Sequence, residues 1–269
     1  MKLQPLEWAD AQWEDPKGGM VHLHGVLPCV VYPRQQRPRE NWDGLALIAT
    51  SDEPQAWMED ERLERESPGI SLADALLGGG LDARYLDSLL LLDNINGPNF
   101  PDPEPRRLHL YAEKNDKGIY FVEPRADSDQ EWLDLLERQA MKITHPWKLF
   151  KLLFQKGRYR RIHLELSRIT EPVAGMEPEL FIAGSLAGSW WIEQELRLGE
   201  ELATERDARL AGRIRGALAD LRNRCGKDEV VLLLPHHLAR RNNLLRALEA
   251  CTEVEDISCA SDDSAGEEE

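Results

Sequence analysis

The sequence predicts an α/β fold in which a mixed sheet is flanked by helices. Short apolar runs of strand length alternate along the chain with longer stretches of helical period. The closing third shows this order most clearly, because a long stretch rich in Leu, Ala, Glu and Arg precedes the apolar run VVLLL, and a second helical stretch follows. Helix, strand, helix and a final short strand in this order predict a Rossmann-like crossover at the C-terminal end.

The N-terminal region is expected to open with strands and continue with helices. Apolar runs bounded by proline and by charged residues predict strands over residues 21–26, 29–32 and 45–50. Helices are then expected over the charged residues 55–66, over residues 72–79 with Ser71 as a cap and three glycines as the end, and over residues 82–93.

A proline-rich segment divides the chain. Residues 94–105 carry four prolines and a glycine, which predicts a loop or linker. We therefore expect an N-terminal α/β region over residues 1–93 and a C-terminal α/β region over residues 106–259, either as two domains or as one. Residues 260–269 are acidic with nothing to pack, and they predict a disordered tail.

The C-terminal region is predicted to begin with a hairpin. Its arms are residues 107–112 and 119–123, and an Asn-Asp-Lys-Gly corner forms the turn. Gly184 and Gly188 predict a close approach between a helix and a neighbouring element. The remaining expected elements are a helix over residues 129–141, a strand over 159–169, either one long helix over 195–224 or two joined near Gly199, a strand over 229–234, a helix over 238–251 and a strand over 254–258. The helix over 195–224 is expected to end at Gly226, because glycine suits a C-cap.

Composition and charge indicate a cytoplasmic globular protein. The formal net charge is −16, and no apolar run approaches the roughly 18 to 20 residues that a membrane span requires. The first residues carry acids and tryptophans where a signal peptide has a basic start and an apolar stretch. The four cysteines are scattered without a C-x-x-C pair, so neither a zinc knuckle nor a disulfide framework is indicated.

A basic segment interrupts this acidic chain. Residues 142–161 contain seven Lys and Arg residues and no acid, and aromatic residues are interspersed among them. Such a segment is either a solvated face of a structural helix or a docking surface for an anionic or acidic partner. Nucleic acid is the least favoured ligand, because the rest of the surface repels a long polyanion. The candidate docking residues are Lys148, Lys151, Lys156, Arg158, Arg160 and Arg161.

Four other side chains are candidate metal ligands or acid–base groups. His163 and Glu165 alternate along a predicted strand, where residues two apart are neighbours on one face. His236 and His237 follow a predicted buried strand, and ligands of α/β sheets gather beyond the carboxyl ends of such strands. The nearby Arg240 and Arg241 would hold an anion. The alternative is structural: an exposed, salt-bridged strand face for the first pair, and a helix cap and an exposed residue for the second.

The residues from Glu205 onward also carry a resemblance to a known family. The pattern Glu205-Arg206-Asp207-x-x-Leu210-Ala211-x-x-Ile214, followed by VVLLLPHHL and LLRALEA, resembles the closing segment of TraB-type (pheromone-shutdown) proteins over residues 205–257. That family is regarded as possible metal-dependent hydrolases. The resemblance implies a divalent metal bound by His236 and His237, with His22, His24, His163 or Glu165 as further ligands.

Two functions therefore remain open. The first is an acidic cytoplasmic interaction protein or accessory subunit, which docks a protein partner or another copy of itself through the basic segment. The second is a TraB-like metal-dependent hydrolase that uses the paired histidines. The first is favoured because docking features are present, while no phosphate loop, G-x-G-x-x-G, G-x-S-x-G or H-E-x-x-H motif occurs.

Overall fold

The computed structural model describes residues 3–38, 41–145 and 154–263. Within these residues five strands form one mixed sheet in the order β1-β2-β5-β3-β4. β1 is antiparallel to β2, while β2, β5, β3 and β4 are mutually parallel. The predicted α/β class is confirmed. The strands are β1 (Ala11–Glu14), β2 (Met20–Val26), β3 (Gly44–Leu47), β4 (Gly118–Phe121) and β5 (Val231–His237).

The central strand comes from the end of the chain. β5 pairs with β2 from Met20↔Val231 to Val26↔His237, and with β3 through Gly44↔Leu232 and Leu45↔Leu233. Its leucines are fully buried, as expected for a parallel strand covered on both faces. Strands that precede and follow the proline-rich segment therefore share one sheet.

Helices cover both faces of this sheet. One core lies between the sheet and helices α5, α8 and α9, and a second lies between the opposite face and helices α1 and α4. A third core, formed mainly by α3, α6 and α7, packs around Leu27 and Leu238 just beyond the ends of β2 and β5. The helices are α1 (Glu53–Glu66), α2 (Ile70–Gly78), α3 (Gly80–Leu89), α4 (Pro103–Lys114), α5 (Gln130–Thr144), α6 (Gln155–Ile169), α7 (Pro178–Leu198), α8 (Glu200–Cys225), α9 (Arg241–Ala250) and the short α10 (Ala260–Asp263).

Much of the expected secondary structure is confirmed. β2, β3, α1, α3 and α5 form close to the predicted positions. The long C-terminal helix is two helices, α7 and α8, joined at Gly199, and α8 ends at Gly226 in a left-handed conformation with φ of 61°. The four residues of α10 are helical, although a disordered tail was expected from residue 260, and residues 264–269 lie outside the described residues.

The prediction of a hairpin over residues 107–123 is wrong, because the residues of its first arm belong to α4. Proline at the start of α4 suits a helix's first turn, and Leu108 and Ala112, one turn apart, face the core. Only the second arm forms a strand, β4, which pairs in parallel with β3.

The prediction of a strand over residues 159–169 is also wrong, because these residues form α6. Tyr159, Ile162 and Leu166 are spaced by three and four residues and are buried together, which is the helical pattern. Leu164, which the alternating pattern placed beside Ile162 and Leu166, is 57% exposed.

The strands expected over residues 29–32 and 254–258 do not form either. Residues 254–258 instead run across α8 at two of its glycines. The Glu255 amide donates to the Gly212 carbonyl at 3.2 Å, and its own carbonyl lies where a Cβ on Gly216 would stand. Arg209 Nε lies 2.7 Å from Glu255 Oε1, so the segment is held by α8 rather than by a strand.

The close approach predicted at Gly184 and Gly188 is confirmed. A Cβ on Gly184 would overlap the indole of Trp8, and one on Gly188 would lie 3.0 Å from Leu166 of α6. α7 is therefore clamped between the N-terminal segment and α6. No helix in the described part of the chain is both long and apolar enough to cross a membrane.

We predict opposite effects of two Gly→Ala substitutions. Gly184→Ala should lower the free energy of unfolding by about 1–3 kcal/mol, because the new methyl group overpacks against Trp8. Gly157→Ala, in α6 with nothing within 4 Å of the new Cβ, should raise it by about 0.5–1 kcal/mol through helix propensity. Urea denaturation of both variants checks this, and shifts of the same sign would contradict the packing.

Candidate functional site

The described part of the basic segment presents one cationic face. Lys148 and Lys151 lie outside the described residues, whereas Lys156, Arg160, Arg161 and Leu164 are exposed on α6. Leu164 stands one turn after Arg160 and Arg161, on the side of α6 opposite the residues that pack on α7. We call these four residues the basic face.

The acids of α6 do not balance the positive charge of the basic face. The first turn of α6 has no acid, so no carboxylate of this turn offsets the charge of Lys156. The only acid in α6 is Glu165, which is ion-paired to Arg168 at 2.7 Å. No unpaired acid of the same helix therefore balances the basic face, so its charges can attract an anion.

Arg158 is a structural residue. Its Nη2 donates to Glu193 Oε2 at 2.6 Å, and Glu193 has no exposed surface. A buried carboxylate without a cation would be strongly destabilising, so Arg158 neutralises the interior and is set apart from the basic face.

We predict that Arg158→Ala lowers the free energy of unfolding by about 3 kcal/mol, because Glu193 would remain buried and unpaired. Arg161→Ala removes the same charge from the exposed surface of the same helix, and a change within about 0.5 kcal/mol is expected. Guanidinium denaturation of the two variants gives the comparison. Equal losses would mean that Glu193 does not depend on Arg158.

Neighbouring strands β2 and β5 carry four of the predicted histidines, His22, His24, His236 and His237. β5 runs through His237 before a 3₁₀ turn, Leu238–Arg240, so the two histidines end a strand rather than open a helix. The register pairs His24 with Pro235 and Gly25 with His236, which places β2 and its histidines beside them. His163 and Glu165 are not part of this group, since they lie on α6, and His163 Nδ1 is 2.9 Å from Ser185 Oγ.

Each of these four histidines has a structural partner on one ring nitrogen. His22 Nε2 and His24 Nδ1 each lie 2.8 Å from one carboxylate oxygen of Asp10. His236 Nδ1 donates to the His237 carbonyl at 2.9 Å, and His237 Nδ1 accepts from the Ala239 amide at 3.2 Å. His237 thus caps the turn that follows β5, which is the structural alternative for one of the pair.

Burial keeps the two C-terminal histidines neutral. It lowers the pKa of His236 to about 4, although the hydrogen bond to the His237 carbonyl opposes the shift. It lowers the pKa of His237 to about 3, and the neighbouring His236 and Arg240 add to that effect. The His237 ring also stacks on Trp191 with centroids 4.9 Å apart.

The residues present do not fit the expected divalent metal. Among the described residues, no group of three or more His, Cys, Asp and Glu side chains is arranged to hold a metal ion. The bonds described above use one ring nitrogen of each histidine, and the Nε2 atoms of His24, His236 and His237 are buried without a hydrogen-bond partner.

The arginines after β5 take part in a buried ion network. Arg240 Nη2 donates to Asp207 Oδ1 at 2.6 Å, and both side chains are almost completely buried. Arg206 lies 3.0 Å from both Asp207 and Glu195. Arg241 binds Glu7 and the Ala9 carbonyl, so it fastens the N-terminal segment to α9. The acids of this network were missed, since nothing in their spacing along the sequence links them to Arg240.

Comparisons with known proteins add no relative. The chain matches no protein-family model, no curated protein and no solved structure. The resemblance of residues 205–257 to TraB-type proteins stays a prediction.

Asp10→Asn should destabilise the protein by about 1–3 kcal/mol at pH 7, because it weakens the bonds to His22 and His24. Burial alone would raise the pKa of Asp10, but these bonds outweigh it and hold the pKa well below 3.8. The carboxylate therefore stabilises the fold above pH 3.8, and this contribution is lost as the pH falls further toward the folded pKa. The difference in the free energy of unfolding between wild type and Asp10→Asn should therefore become smaller as the pH falls below 3.8.

Denaturation curves of wild type and Asp10→Asn at pH 7, 5 and 3 measure this difference in the free energy of unfolding. Asp127→Asn makes the same change at an exposed pair with Arg125, and only a small effect is expected. A gap for Asp10→Asn that does not depend on pH would contradict the assignment of the low pKa.

Proposed function

We propose that the protein is an interaction protein or accessory subunit that docks an acidic segment of a partner protein on the basic face of α6. The observation that carries this is the exposure of Leu164 beside Arg160 and Arg161, on a helix whose other face is packed into the protein. A cationic surface with an apolar centre can both attract an acidic segment and bury one of its apolar side chains.

The charge of the whole molecule favours a short acidic segment over a long polyanion. The net charge is −16, so a nucleic acid that extends beyond the basic face would meet a repulsive surface. A segment of a few residues experiences mainly the local field, because charges more than about 8–10 Å away are screened at physiological salt.

The position of α10 in the fold favours a separate partner protein, rather than the chain's own acidic end, as the ligand of the basic face. The described chain ends at α10, whose contacts are with β4 at one edge of the sheet, whereas α6 packs on α7. A second copy of this acidic chain is the other candidate partner. A cytoplasmic location is part of the same proposal.

The metal-dependent hydrolase has less support. It depends on the resemblance of residues 205–257 alone, and the described histidines form no metal-ligand group. We therefore place function on the basic face rather than at the ends of β2 and β5.

We predict that the double variant Arg160→Glu/Arg161→Glu binds an acidic peptide at least about tenfold more weakly than the wild type, since two attractive charges become repulsive. The probe is a fluorescein-labelled glutamate-rich peptide with one central leucine, followed by fluorescence polarisation at low and at physiological salt. The matched control, Arg65→Glu/Lys114→Glu, makes the same charge change at exposed positions on α1 and α4 and should bind as the wild type does.

Two further comparisons separate specific docking from general attraction. Replacing the leucine of the peptide by alanine should weaken binding to the wild type but not to Leu164→Ala. Equal weakening by both charge reversals would overturn the proposal. A clear gain in affinity when residues 264–269 are removed would assign the basic face to the chain's own acidic end instead.

A further inference from the structure

A second exposed surface lies at the C-terminal end of α3. Asp87, Leu90 and Leu91 are one helical turn apart, and the helical hydrogen bonding continues to Leu90, whose amide donates to the Leu86 carbonyl at 3.0 Å. Leu91 is 81% exposed and Leu90 is 48% exposed, and the side chains of Asp87 and Asp93 are exposed beside them. We call Asp87, Leu90, Leu91 and Asp93 the acidic face.

The acidic face is held in place by contacts on both sides of it along the chain. Leu86 and Leu89, on the inner side of α3, are buried in the third core. Immediately after the acidic face, Asn94 Nδ2 donates to Glu179 Oε1 of α7 at 3.1 Å. Because α3 already commits its other leucines to the core, Leu90 and Leu91 stay at the surface.

The negative charge of the acidic face is not neutralised. Neither Asp87 nor Asp93 forms an ion pair with a cation in the described part of the chain. Arg84 is half-buried one turn before Asp87, but no ion pair joins the two side chains. Exposed apolar side chains rimmed by charge are typical of interaction sites.

The acidic face and the basic face of α6 are complementary. The basic face places Leu164 one turn after Arg160 and Arg161, and the acidic face places two leucines one turn after Asp87. Each surface therefore has an apolar centre beside charges of one sign, and the two signs are opposite. Contact between the faces would bury leucine against leucine and bring carboxylates to guanidinium groups.

The two faces cannot meet within one molecule. Both α3 and α6 pack on α7 and contribute to the third core, so the two helices are fixed while the acidic and basic faces point to solvent. Two copies of the chain can bring them together. Charges more than about 8–10 Å apart are screened at physiological salt, so the net charge of −16 on each copy does not cancel a local attraction.

We propose that the acidic face of one copy docks on the basic face of a second copy. This inference rests on the proposed function, because it identifies a second copy of the chain as the partner of the basic face. Two different surfaces meet in such a contact, so the association is of the head-to-tail kind.

Sedimentation equilibrium over a concentration series at physiological salt tests this contact. The average mass of the wild type should rise with concentration. Asp87→Lys/Asp93→Lys should weaken the association at least about tenfold, because two attractive charges become repulsive. Leu91→Ala should weaken it as well, because the centre of the acidic face loses apolar area.

Matched controls keep the charge and the hydrophobicity effects specific. Leu77→Ala removes a leucine of α2 that is 84% exposed, and Glu137→Lys/Glu249→Lys reverses two exposed acids on α5 and α9. Both control variants should associate as the wild type does.

A mixture of two charge-reversed variants gives the sharpest test. Asp87→Lys/Asp93→Lys and Arg160→Glu/Arg161→Glu should each be largely monomeric alone, because each presents two surfaces of the same sign. Mixed in equal amounts they should associate again, because every surface then meets one of the opposite sign. Recovery in the mixture also shows that both variants are folded.

Three outcomes would overturn the inference: a wild type that stays monomeric at about 1 mM, association that survives either charge reversal, or a mixture that does not associate. A monomeric wild type whose basic face still binds the glutamate-rich peptide would overturn the contact between copies and leave the proposed function standing. Failure of the inference and failure of the proposed function are therefore distinguishable.

Discussion

The insertion of β5 between β2 and β3 is the constraint on which the rest of the structure depends. An apolar strand that is buried on both faces must find a partner on each side, and the two partners come from the first fifty residues. The chain must therefore return to its N-terminal region before the sheet is complete. This return sets His24 beside Pro235 and places α9 at the carboxyl end of the sheet. It also lets the N-terminal segment contact α9, where Glu7 pairs with Arg241 and Gln4 with Asn242.

Buried ion pairs explain how so acidic a chain uses its arginines. Arg158 neutralises Glu193, Arg240 neutralises Asp207, and Arg215 lies 2.8 Å from the buried carboxylate of Asp15. Each pair is costly to desolvate and still more costly to break, so these cations are committed to the interior. Only the cations left over, such as those of the basic face, are available to a partner. A count of charges along the sequence overstates the docking surface because it does not separate these two uses.

The hydrophobic pattern was sufficient to predict those elements whose sequence fits either the strand period or the helix period, but not both. The apolar run that forms β5, the breaker at Gly199 and the cap at Gly226 predict their structures directly. Residues 159–169 fit both periods, since Ile162, Leu164 and Leu166 alternate while Tyr159, Ile162 and Leu166 follow a helical spacing. The helix forms because it lets Tyr159, Ile162 and Leu166 pack together against α7. Such a tertiary choice cannot be deduced from the local sequence.

The candidate sites show the same division. The position of His236 and His237 at the carboxyl end of a buried strand was predictable, because strand ends follow from the apolar run. The hydrogen bonds of these histidines to the His237 carbonyl and from the Ala239 amide were not predictable, and neither were those of His22 and His24 to Asp10, because the fold sets these contacts. The exposure of Leu164 depends on α6 being a helix, so the centre of the basic face could be recognised only in the structure.

Hydrogen–deuterium exchange with and without a saturating glutamate-rich, leucine-containing peptide tests most directly where the protein binds a partner. Our account predicts that the peptide slows amide exchange over α6 (Gln155–Ile169) and leaves residues 231–250 unchanged. Slower exchange confined to the end of β5 and to α9, with α6 unaffected, would contradict it and return function to the histidine end of the sheet.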